Sequence, residues 1–594
     1  MGSMAARQRR HGGLLATILW VWWWVVVHGM PPENPLECNA TGCWIRNTYG
    51  VWGDRKDECV SARAVFPETE EELRAAVADA NKNKEKIKVV TKFSHTIPKW
   101  ACPAASGPTL FISTQRYNSS IEVDMEKGAV TADAGVGLRA VIERVEEEGL
   151  SLVASPYWEG VSVGGAISTG AHGSSWWGKG GALHDHVIGM SVVVPAEESE
   201  GYAKVLRLKA DEPLLNAAKL SLGLLGVISK VTLSLEPAFK RSITYNFTTD
   251  SGLENEYMMH AKKHEFADLQ WYPSQSTAVY RYDDRVPLHT PGDGVYDFIG
   301  FRSNFIPLTN IIRATEESME KRRDVKGKCI LARSYAAAKK LMGNGLKNGG
   351  GVGVAFTGYP VVGRQGKMQT SGSCLYTSES DKGNACAWDP RIRSALFFFE
   401  STAIFPAHKF GDFVRDVKRL RDAAKPESFC GADMYNGFLV RYVPASSAFL
   451  GQPSDSVVVD FNYYRSREAG APRLDMAVWE EVEQMAFFKH GARPHWAKNR
   501  DLAFAGVANK LPPHALAKFL EAKKLLDPHG LFSNDWSDEV LFGNRPPPTP
   551  PPDGCALEGL CVCSEDQHCS PSNGYFCRPG LVYKDARVCA YSAD

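Results

Sequence analysis

Apolar and polar positions in the first part of the chain follow strand and helix periods in turn, which predicts an α/β start. In SARAVFPETEEELRAAVADANKNKEKIKVVT, one apolar strand ends at Phe66 and a second spans 87–90. Between the strands, Thr69 and Glu72 have the spacing of a helix capping box. The helical repeat that follows them runs to about Asn81.

The run GAVTADAGVGLRAVIERVEEEGLSLVAS repeats the order of strand, turn, helix and strand, with the helix predicted over about 138–148. Gly135, Gly137 and Ala140 in this run match the glycine fingerprint of dinucleotide-binding folds. The acidic residue that should end the next strand is replaced by VASPYWEG. We therefore do not interpret the run as a Rossmann site.

Three runs in the C-terminal half have strand patterns, namely HEFADLQWYPSQSTAVYRY, LFFFESTAIFP and SVVVDFNYY. The chain has 594 residues, 44% of them hydrophobic, so it is long enough for two or three domains. Lys plus Arg and Asp plus Glu are both 68, and this balance argues against nucleic acid or an anionic membrane as partner. A small or neutral partner fits better.

The first thirty residues have the pattern of a secretory signal. Arg7, Arg9 and Arg10 precede an apolar run over 14–27, and the small residue Gly29 offers a cleavage site. The apolar run is shorter than the roughly 20 residues that span a bilayer. We expect a signal peptide over 1–29, no stable membrane span and a secreted, extracellular protein. A signal anchor is the alternative.

Cysteine usage agrees with secretion. Six of the 14 cysteines follow the proline run RPPPTPPPDG near the C-terminus, at positions Cys555, Cys561, Cys563, Cys569, Cys577 and Cys589. A stiff spacer followed by a disulfide-stapled module explains this pattern, although six cysteines allow fifteen pairings. A zinc site is the alternative, but we expect disulfides and no metal. The sequons at Asn39, Asn118 and Asn246 suggest surface glycans.

The glycine-rich run GGAISTGAHGSSWWG, Gly164–Gly178, suits close approach of another group to the main chain. Consecutive backbone N–H donors in such a turn form an anion-binding concavity, which bulky side chains would block. The overlapping pattern Gly160-Val-Ser162-Val-Gly164 matches the nucleophile elbow of serine hydrolases. That motif needs a helix directly after it, whereas more glycines follow here, so a hydrolase is only a minor alternative.

Five motifs carry a family resemblance: IKVVTKFSHTIPKW, VGGAISTGAHGSSWWG, LGLLGVISKVTLSLEP, GARPHWAKNRDLAF and LLDPHGLFSNDW. In order and spacing they resemble the vanillyl-alcohol-oxidase-type flavoproteins, and within them the sugar-lactone oxidases of the plant L-gulonolactone oxidase type. The resemblance covers roughly residues 49–536.

The fold class implied by this resemblance is α+β, with a two-subdomain FAD-binding domain and an antiparallel-sheet substrate cap domain that lies over the flavin. We predict the FAD-binding domain over 55–238 and the cap domain over 239–544. A cysteine-containing segment, 30–54, precedes them, and a proline-rich linker, 545–554, and a disulfide-rich module, 555–594, follow.

The resemblance also implies that the loop equivalent to 164–174 wraps FAD. The candidate cofactor-binding residues are Gly164, Gly165, Ser168, Thr169, His172, Gly173, Ser174, Gly226 and Ile228. The hydroxyls of Ser168, Thr169 and Ser174 are expected to add donors. For His172, contact with the flavin edge and a histidine satisfied within the loop are the two alternatives. Ala171 is a candidate for controlling oxygen access.

His95 is the candidate for a covalent bond to the flavin. In many members of this class a histidine at the comparable site, within a glycine-rich run, bonds to the flavin 8α-methyl group. A neutral imidazole nitrogen suits that role because it is nucleophilic near neutral pH. This chain reads TKFSHT, without the glycines, so noncovalent FAD is the alternative.

The motif RPHWAK supplies two of the three candidate catalytic residues. The resemblance and the charge of Lys498 suggest that this side chain stabilises the reduced flavin as hydride arrives. His495 is a candidate to accept the hydroxyl proton or to hydrogen-bond the substrate. The third candidate is Arg441 in NGFLVRYV.

Related lactone and alditol oxidases carry a Glu-x-Arg pair on a strand that faces the flavin. Here Arg441 is present, but Leu439 occupies the glutamate position. An apolar group there removes a hydrogen-bond acceptor for a sugar hydroxyl. Either another residue, such as Asn436 or Glu400, takes its place, or the substrate differs.

The resemblance therefore implies a secreted FAD-dependent oxidoreductase that converts L-gulono-1,4-lactone to ascorbate, with O2 giving H2O2; a dehydrogenase that uses another electron acceptor is the alternative to an oxidase. A flavin-dependent carbohydrate or alcohol oxidase with another substrate is one alternative. The other is a noncatalytic extracellular binding protein, in which the cysteine-rich module makes a contact with the cell wall or another protein.

Overall fold

The computed structural model describes residues 36–46, 58–61, 63–91, 98–104, 106–294, 304–342, 346–348, 354–356, 360–368, 384–385, 399–434, 437–463, 466, 468–498, 500–543 and 551–592. The predicted signal segment 1–29, His95, Asn436 and residues 545–550 of the proline-rich linker lie outside these ranges.

The N-terminal part contains two small sheets. The first is antiparallel, with strands β1 (Leu36–Asn39), β2 (Gly42–Arg46) and β3 (Glu58–Ser61). The second is parallel in the order β4-β6-β5, with β4 (Arg63–Val65), β5 (Lys86–Val90) and β6 (Thr109–Ser113). Helix α1 (Glu70–Asn83) joins β4 to β5, and the short helix α2 (Pro98–Ala101) precedes β6.

Helix α1 begins where the sequence pattern predicts. The Thr69 hydroxyl accepts a hydrogen bond from the Glu72 backbone N–H at 3.1 Å, which satisfies one of the unpaired donors of the first turn. Leu73, Val77 and Ala80 form its buried face. The helix continues to Asn83, two residues beyond the predicted end.

A five-stranded antiparallel sheet follows, in the order β11-β10-β12-β8-β7. The strands are β7 (Ile121–Asp124), β8 (Ala129–Asp133), the short β9 (Leu150–Ser151), β10 (Val187–Pro195), β11 (Ala203–Lys209), β12 (Val227–Ser234) and the short β13 (Glu236–Pro237), of which β9 and β13 pair separately. The helices are α3 (Leu138–Glu147), α4 (Val163–Ser168) and α5 (Pro213–Ala218).

From the sequence we expected no helix directly after Ser162, because glycines follow it. This expectation was wrong: helix α4 begins there and includes Gly164 and Gly165. The Ser162 hydroxyl caps the helix by accepting the Gly165 backbone N–H at 3.2 Å. A side chain at Gly164 would approach the Cβ of Ala134 to 2.9 Å, so glycine is needed for this close packing. Tertiary packing therefore overrides the low helix propensity of the glycines.

The C-terminal half is built on an eight-stranded antiparallel sheet in the order β20-β14-β16-β15-β23-β24-β22-β25. This confirms the antiparallel cap sheet. The strands are β14 (Lys240–Thr249), β15 (Asp268–Tyr272), β16 (Thr277–Val286), β17 (Asn304–Phe305), β18 (Leu346–Asn348), β19 (Val354–Phe356), β20 (Val361–Arg364), β21 (Asn384–Ala385), β22 (Phe399–Pro406), β23 (Phe438–Val443), β24 (Ser456–Tyr463) and β25 (Arg493–Pro494), with β17–β21 and β18–β19 as separate pairs.

The helices of this half are α6 (Leu253–Lys263), α7 (Ile306–Lys321), α8 (Val325–Met342), α9 (Phe410–Ala424), α10 (Met476–Gln484), α11 (Pro513–Leu526) and α12 (Asp535–Val540). One face of the eight-stranded sheet packs against α9, where the rings of Phe413 and Phe461 lie 5.8 Å apart. The opposite face looks toward the glycine-rich run and carries buried charges.

The C-terminal module contains the hairpin β26 (Tyr575–Pro579) and β27 (Arg587–Tyr591). Its six cysteines form three disulfides, Cys555–Cys561, Cys563–Cys577 and Cys569–Cys589, which confirms the disulfide prediction. Three further disulfides among the described residues are Cys38–Cys43, Cys59–Cys102 and Cys329–Cys430. Among the described residues, the two clusters of potential metal ligands, both in the module, are made of these bridged cysteines and His568.

Within the described ranges, every helix is too short or too polar to cross a bilayer.

Candidate active site

The register of three neighbouring strands brings the site together. Leu439 on β23 lies opposite Asp460 on β24, and Asp460 lies opposite Thr402 on β22. Partners directly opposite each other in an antiparallel sheet point to the same face, as do residues two apart on one strand. Arg441 therefore shares the face of Asp460 and Thr402.

Arg441 connects this sheet to the glycine-rich run. Its Nη2 donates to the Asp460 carboxylate at 2.6 Å, and its Nη1 donates to the His172 backbone carbonyl at 3.0 Å. The guanidinium carbon also lies 5.2 Å from the ring centre of Tyr157. The third nitrogen, Nε, is buried and has no hydrogen-bond partner among the described residues.

Asp460 lies between two cations. Its second carboxylate oxygen accepts the Thr402 hydroxyl and lies 3.9 Å from the Lys498 ammonium. Burial alone would raise the pKa of this carboxyl, but the charges of Arg441 and Lys498 outweigh it and lower the pKa below its usual value. Asp460 is therefore an anion at neutral pH. Lys498 also donates to Glu400 at 3.1 Å.

His495 has both ring nitrogens engaged. Nδ1 lies 3.1 Å from the Ala497 backbone N–H, and Nε2 lies 3.1 Å from the Gly170 carbonyl. The first contact requires an acceptor and the second a donor, so the ring is neutral with its proton on Nε2. Burial and the charges of Lys498 and Arg441 lower its pKa from 6.5 to about 3. A role as base stays a prediction, and in this arrangement it would require breaking one of these bonds.

His172 has one free nitrogen. Its Nδ1 lies 2.8 Å from the Gly173 carbonyl and must donate to it, which leaves Nε2 as an acceptor. That Nε2 is buried and has no partner among the described residues. The ring centres of His172 and His495 are 5.0 Å apart. Burial, followed by the charge of Arg441, holds the pKa of His172 well below 6.5, so the ring is neutral.

The predicted hydroxyl donors already have protein acceptors. Ser168 donates to the Gly164 carbonyl at 2.7 Å, Thr169 donates to the Gly165 carbonyl at 3.0 Å, and Ser174 donates to Ala267. Each hydroxyl would have to break its hydrogen bond to the carbonyl before it could donate to a cofactor. Its oxygen can still accept a hydrogen bond from the cofactor. Their contact with FAD stays a prediction.

The backbone donors of the predicted loop are also partly used. The N–H of Gly164 donates to Ala134 at 2.9 Å, and the N–H of Gly173 donates to Gly181 at 2.8 Å. Gly226 lies just before β12, and Ile228 is its second residue; helix α4 packs against this strand. The structure thus brings these two residues next to the glycine-rich run, while Arg441, His495 and Lys498 approach the run from the cap sheet.

Sequence reasoning missed Asp460, Thr402 and Tyr157. The signal for Asp460 was a lone charge within the apolar strand SVVVDFNYY. The Tyr157 hydroxyl donates to Asp268 and accepts from Arg281 at 2.8 Å, and the guanidinium carbons of Arg281 and Arg441 each lie 5.2 Å from its ring centre. Its segment, VASPYWEG, had no recognised pattern.

These residues fit a flavin cofactor. An unpartnered acceptor on His172 and an unpartnered donor on Arg441 lie buried where the glycine-rich run meets the cap sheet. Buried polar groups without partners are costly, so this junction is suited to bound groups, cofactor and substrate together, that carry both donor and acceptor atoms. The cations of Arg441 and Lys498 suit a group that gains negative charge during reduction.

Comparisons with known proteins agree with this reading. Three family models match the chain: an FAD binding domain over residues 61–199, D-arabinono-1,4-lactone oxidase over 395–540, and the C-terminal domain of L-gulonolactone oxidase 2-like proteins over 552–591. L-gulonolactone oxidase 3 from Arabidopsis thaliana is 57% identical, over 98% of this chain and 97% of that protein. L-gulonolactone oxidase from Scyliorhinus torazame is 22% identical, over 80% of this chain and 94% of that protein.

Among solved structures, a solvent-stable cholesterol oxidase covers 86% of this chain and 98% of its own, with a TM-score of 0.62 and 15% identity. The cholesterol oxidase of B. sterolicum covers 87% of this chain and 100% of its own, with a TM-score of 0.60 and 14% identity. These likenesses establish the vanillyl-alcohol-oxidase-type FAD fold. FAD is thus the cofactor, and the chain belongs to the L-gulonolactone oxidase family of FAD-dependent oxidoreductases that act on CH–OH groups.

Proposed function

We propose that the protein oxidises L-gulono-1,4-lactone at its C2 hydroxyl, with O2 as acceptor. The reaction removes two hydrogens from the lactone to give the 2-keto lactone, which enolises to ascorbate, and O2 is reduced to H2O2. The names of the relatives and the lactone oxidase family match support this substrate class.

The observation that carries the proposal is the pair of unpartnered buried atoms, His172 Nε2 and Arg441 Nε. A secondary alcohol complements this pair, because its oxygen accepts from the Nε–H and its proton is donated to the imidazole. Bound FAD supplies the hydride acceptor. His172 orients the hydroxyl and receives its proton, while the charges of Arg441 and Lys498 stabilise negative charge on oxygen as the C–H bond breaks.

The first experiment is a visible spectrum of the purified protein before and after anaerobic addition of L-gulono-1,4-lactone. Bleaching of the flavin bands supports the substrate, and stoichiometric H2O2 on readmission of air supports O2 as acceptor. Flavin bands that persist with this lactone would refute the substrate assignment.

Another carbohydrate or alcohol is the second candidate substrate, and Leu439 favours it. This side chain lies on the face of Arg441 and is 7% exposed, so it offers an apolar surface where a sugar hydroxyl would need an acceptor. A panel of aldonolactones, alditols and aryl alcohols, compared by the rate of flavin bleaching, separates the two candidates.

We also propose that the protein enters the secretory pathway. Six disulfides among the described residues and the exposed side chains of Asn39, Asn118 and Asn246 support this. A mass decrease on treatment with an N-glycosidase tests glycosylation, and cell fractionation tests secretion. A contact between the module and the cell wall or a protein remains a prediction that pull-down with wall polymers would test.

A covalent bond between FAD and His95 is part of the proposal. Acid precipitation distinguishes covalent from noncovalent FAD. Covalently bound flavin remains on the denatured polypeptide, where its fluorescence is detected. Release of all the flavin into the acid supernatant would exclude the bond.

A further inference from the structure

We propose that Asp460 is the positioning carboxylate of this active site and pairs with Arg441 in place of a carboxylate at position 439. It acts through Arg441 and Lys498, fixing the two cations that face the reacting hydroxyl. The kinetic test of this inference rests on the proposed function, because it needs a substrate. A second test, the midpoint potential of bound FAD, needs none.

The first support is the strand register. Leu439 and Asp460 lie directly opposite each other on β23 and β24, with side chains on the same face. A carboxylate on either residue is therefore within reach of Arg441, which lies two residues beyond Leu439. A carboxylate partner for Arg441 is thus available from the neighbouring strand. The linear spacing of a Glu-x-Arg motif does not reveal such a partner.

The second support is that both carboxylate oxygens of Asp460 are used. One accepts from Arg441 at 2.6 Å, and the other accepts from Thr402 and faces Lys498 at 3.9 Å. The carboxylate thus fixes the guanidinium in one orientation, in which Nη1 binds the His172 carbonyl and Nε is left for a ligand. Without it, the guanidinium would lose the bond that sets this orientation.

The third support is charge. Among the described residues, Arg441 and Lys498 are the cations in ion pairs with Asp460, whereas Glu400 pairs with the more exposed Lys498. Glu400 was one of the two sequence candidates for the missing acceptor, and Asn436 lies outside the described residues. Among the described residues, Asp460 is therefore the carboxylate in contact with Arg441.

The test compares Asp460→Asn, Asp460→Glu and the double variant Leu439→Glu/Asp460→Asn. We expect Asp460→Asn to lower the second-order rate constant of flavin reduction by at least about 100-fold, the scale of losing one preorganised charge in an active site. Asp460→Glu keeps the charge and should stay within about tenfold of wild type. The double variant returns a carboxylate to the same face, and its rate constant for flavin reduction should be at least about tenfold higher than that of Asp460→Asn.

Asp250→Asn is the matched control. Asp250 pairs with Arg421 at 2.7 Å and is as buried as Asp460, but it lies between β14 and α6, and its ion pair includes neither Arg441 nor Lys498. We expect a similar loss of thermal stability in both Asn variants, but loss of the reduction rate only in Asp460→Asn. An Asp460→Asn enzyme with the wild-type rate, or a folded, flavin-loaded double variant with no recovery, would overturn the inference.

The midpoint potential of bound FAD, measured by chemical reduction without substrate, gives the second readout. Loss of the Asp460 charge should make this potential more positive, because reduction then adds negative charge to a more positive site. Asp250→Asn should leave it unchanged. If no lactone reduces the wild type, the proposed function fails, and the potentials still decide this inference: equal values for wild type and Asp460→Asn would refute it.

Discussion

The Glu481 carboxylate lies 2.6 Å from the backbone nitrogen of Val582 and joins the C-terminal module to helix α10. The same carboxylate accepts from the N–H groups of Leu581 and Tyr583 at 2.7 and 2.8 Å. One buried side chain thus satisfies three consecutive backbone donors. The module is therefore part of the folded body and not a domain on a free tether.

Replacing Glu481 with Gln should loosen the module. The amide presents an NH2 group to at least one of the three backbone donors, and leaving a buried donor unpaired costs about 1–3 kcal/mol. We expect a lower thermal midpoint and faster proteolytic release of the C-terminal segment. Glu521→Gln, on the exposed side of α11, is the control and should change neither. Unchanged proteolysis of the Glu481 variant would contradict the docking role.

The buried His495 should make stability depend on pH. Its pKa is lowered from 6.5 to about 3 by burial and by Lys498 and Arg441, so folding favours the neutral ring. This contribution is fully present above pH 6.5 and is lost as the pH falls toward 3; at pH 5 the loss amounts to about 2 kcal/mol.

Urea unfolding of wild type and His495→Gln at pH 8 and pH 5 measures this effect. The free-energy difference between the two proteins should shrink by about 2 kcal/mol at the lower pH, since Gln does not titrate. His408→Gln, at an exposed position, is the control. A difference that does not change with pH would mean that His495 is charged in the folded protein or accessible to water.

Lys498→Met should slow flavin reduction while leaving the fold intact. The substitution removes one of the two cations beside Asp460, and we expect a loss of about 100-fold in the rate constant for reduction. Lys489→Met is the matched control, because Lys489 pairs with Asp416 at 2.8 Å in a part of the cap distant from Arg441. Equal rates in the two variants would exclude an electrostatic role for Lys498.

Gly173→Ala should disturb the glycine-rich run. A Cβ there would lie 2.5 Å from the Ser155 carbonyl oxygen, so the backbone must move, at a cost of about 1–3 kcal/mol. We expect a lower thermal midpoint and a smaller ratio of flavin to protein absorbance. At Gly137, by contrast, φ is −67° and no atom lies within 4 Å of the added Cβ, so Gly137→Ala should leave both measurements unchanged.

Local pattern was enough to predict much of the fold. Helix α1 was predicted from its cap at Thr69 and its apolar repeat, because these signals lie within one turn of each other. Four strands of the cap sheet, β15, β16, β22 and β24, lie in runs that were predicted as strands from their apolar patterns. Helix α4 was missed because its stability comes from packing on Ala134, which no local signal reveals.

The active site was predicted only in part for a similar reason. Arg441, His495 and Lys498 stand in motifs, and the structure places them on one side of the glycine-rich run. The contact between Arg441 and Asp460 depends on the register of two strands, and nothing in the linear sequence fixes that register. The role of Glu481 was hidden too, because acidic residues on a helix usually face solvent.

Docking of the module has a consequence for biosynthesis. Glu481 and its partner Leu581 are 100 residues apart, so the ribosome completes α10 well before the segment that covers it. At a synthesis rate of about 5–20 residues per second, the module segment that contacts α10 is made roughly 5–20 s after the helix itself. During that interval the Glu481 carboxylate lacks the three backbone donors that it binds in the folded protein. Helix α10 also carries Glu483, which accepts from Arg500 two residues after Lys498, so the same helix contacts both the module and the segment that carries Lys498.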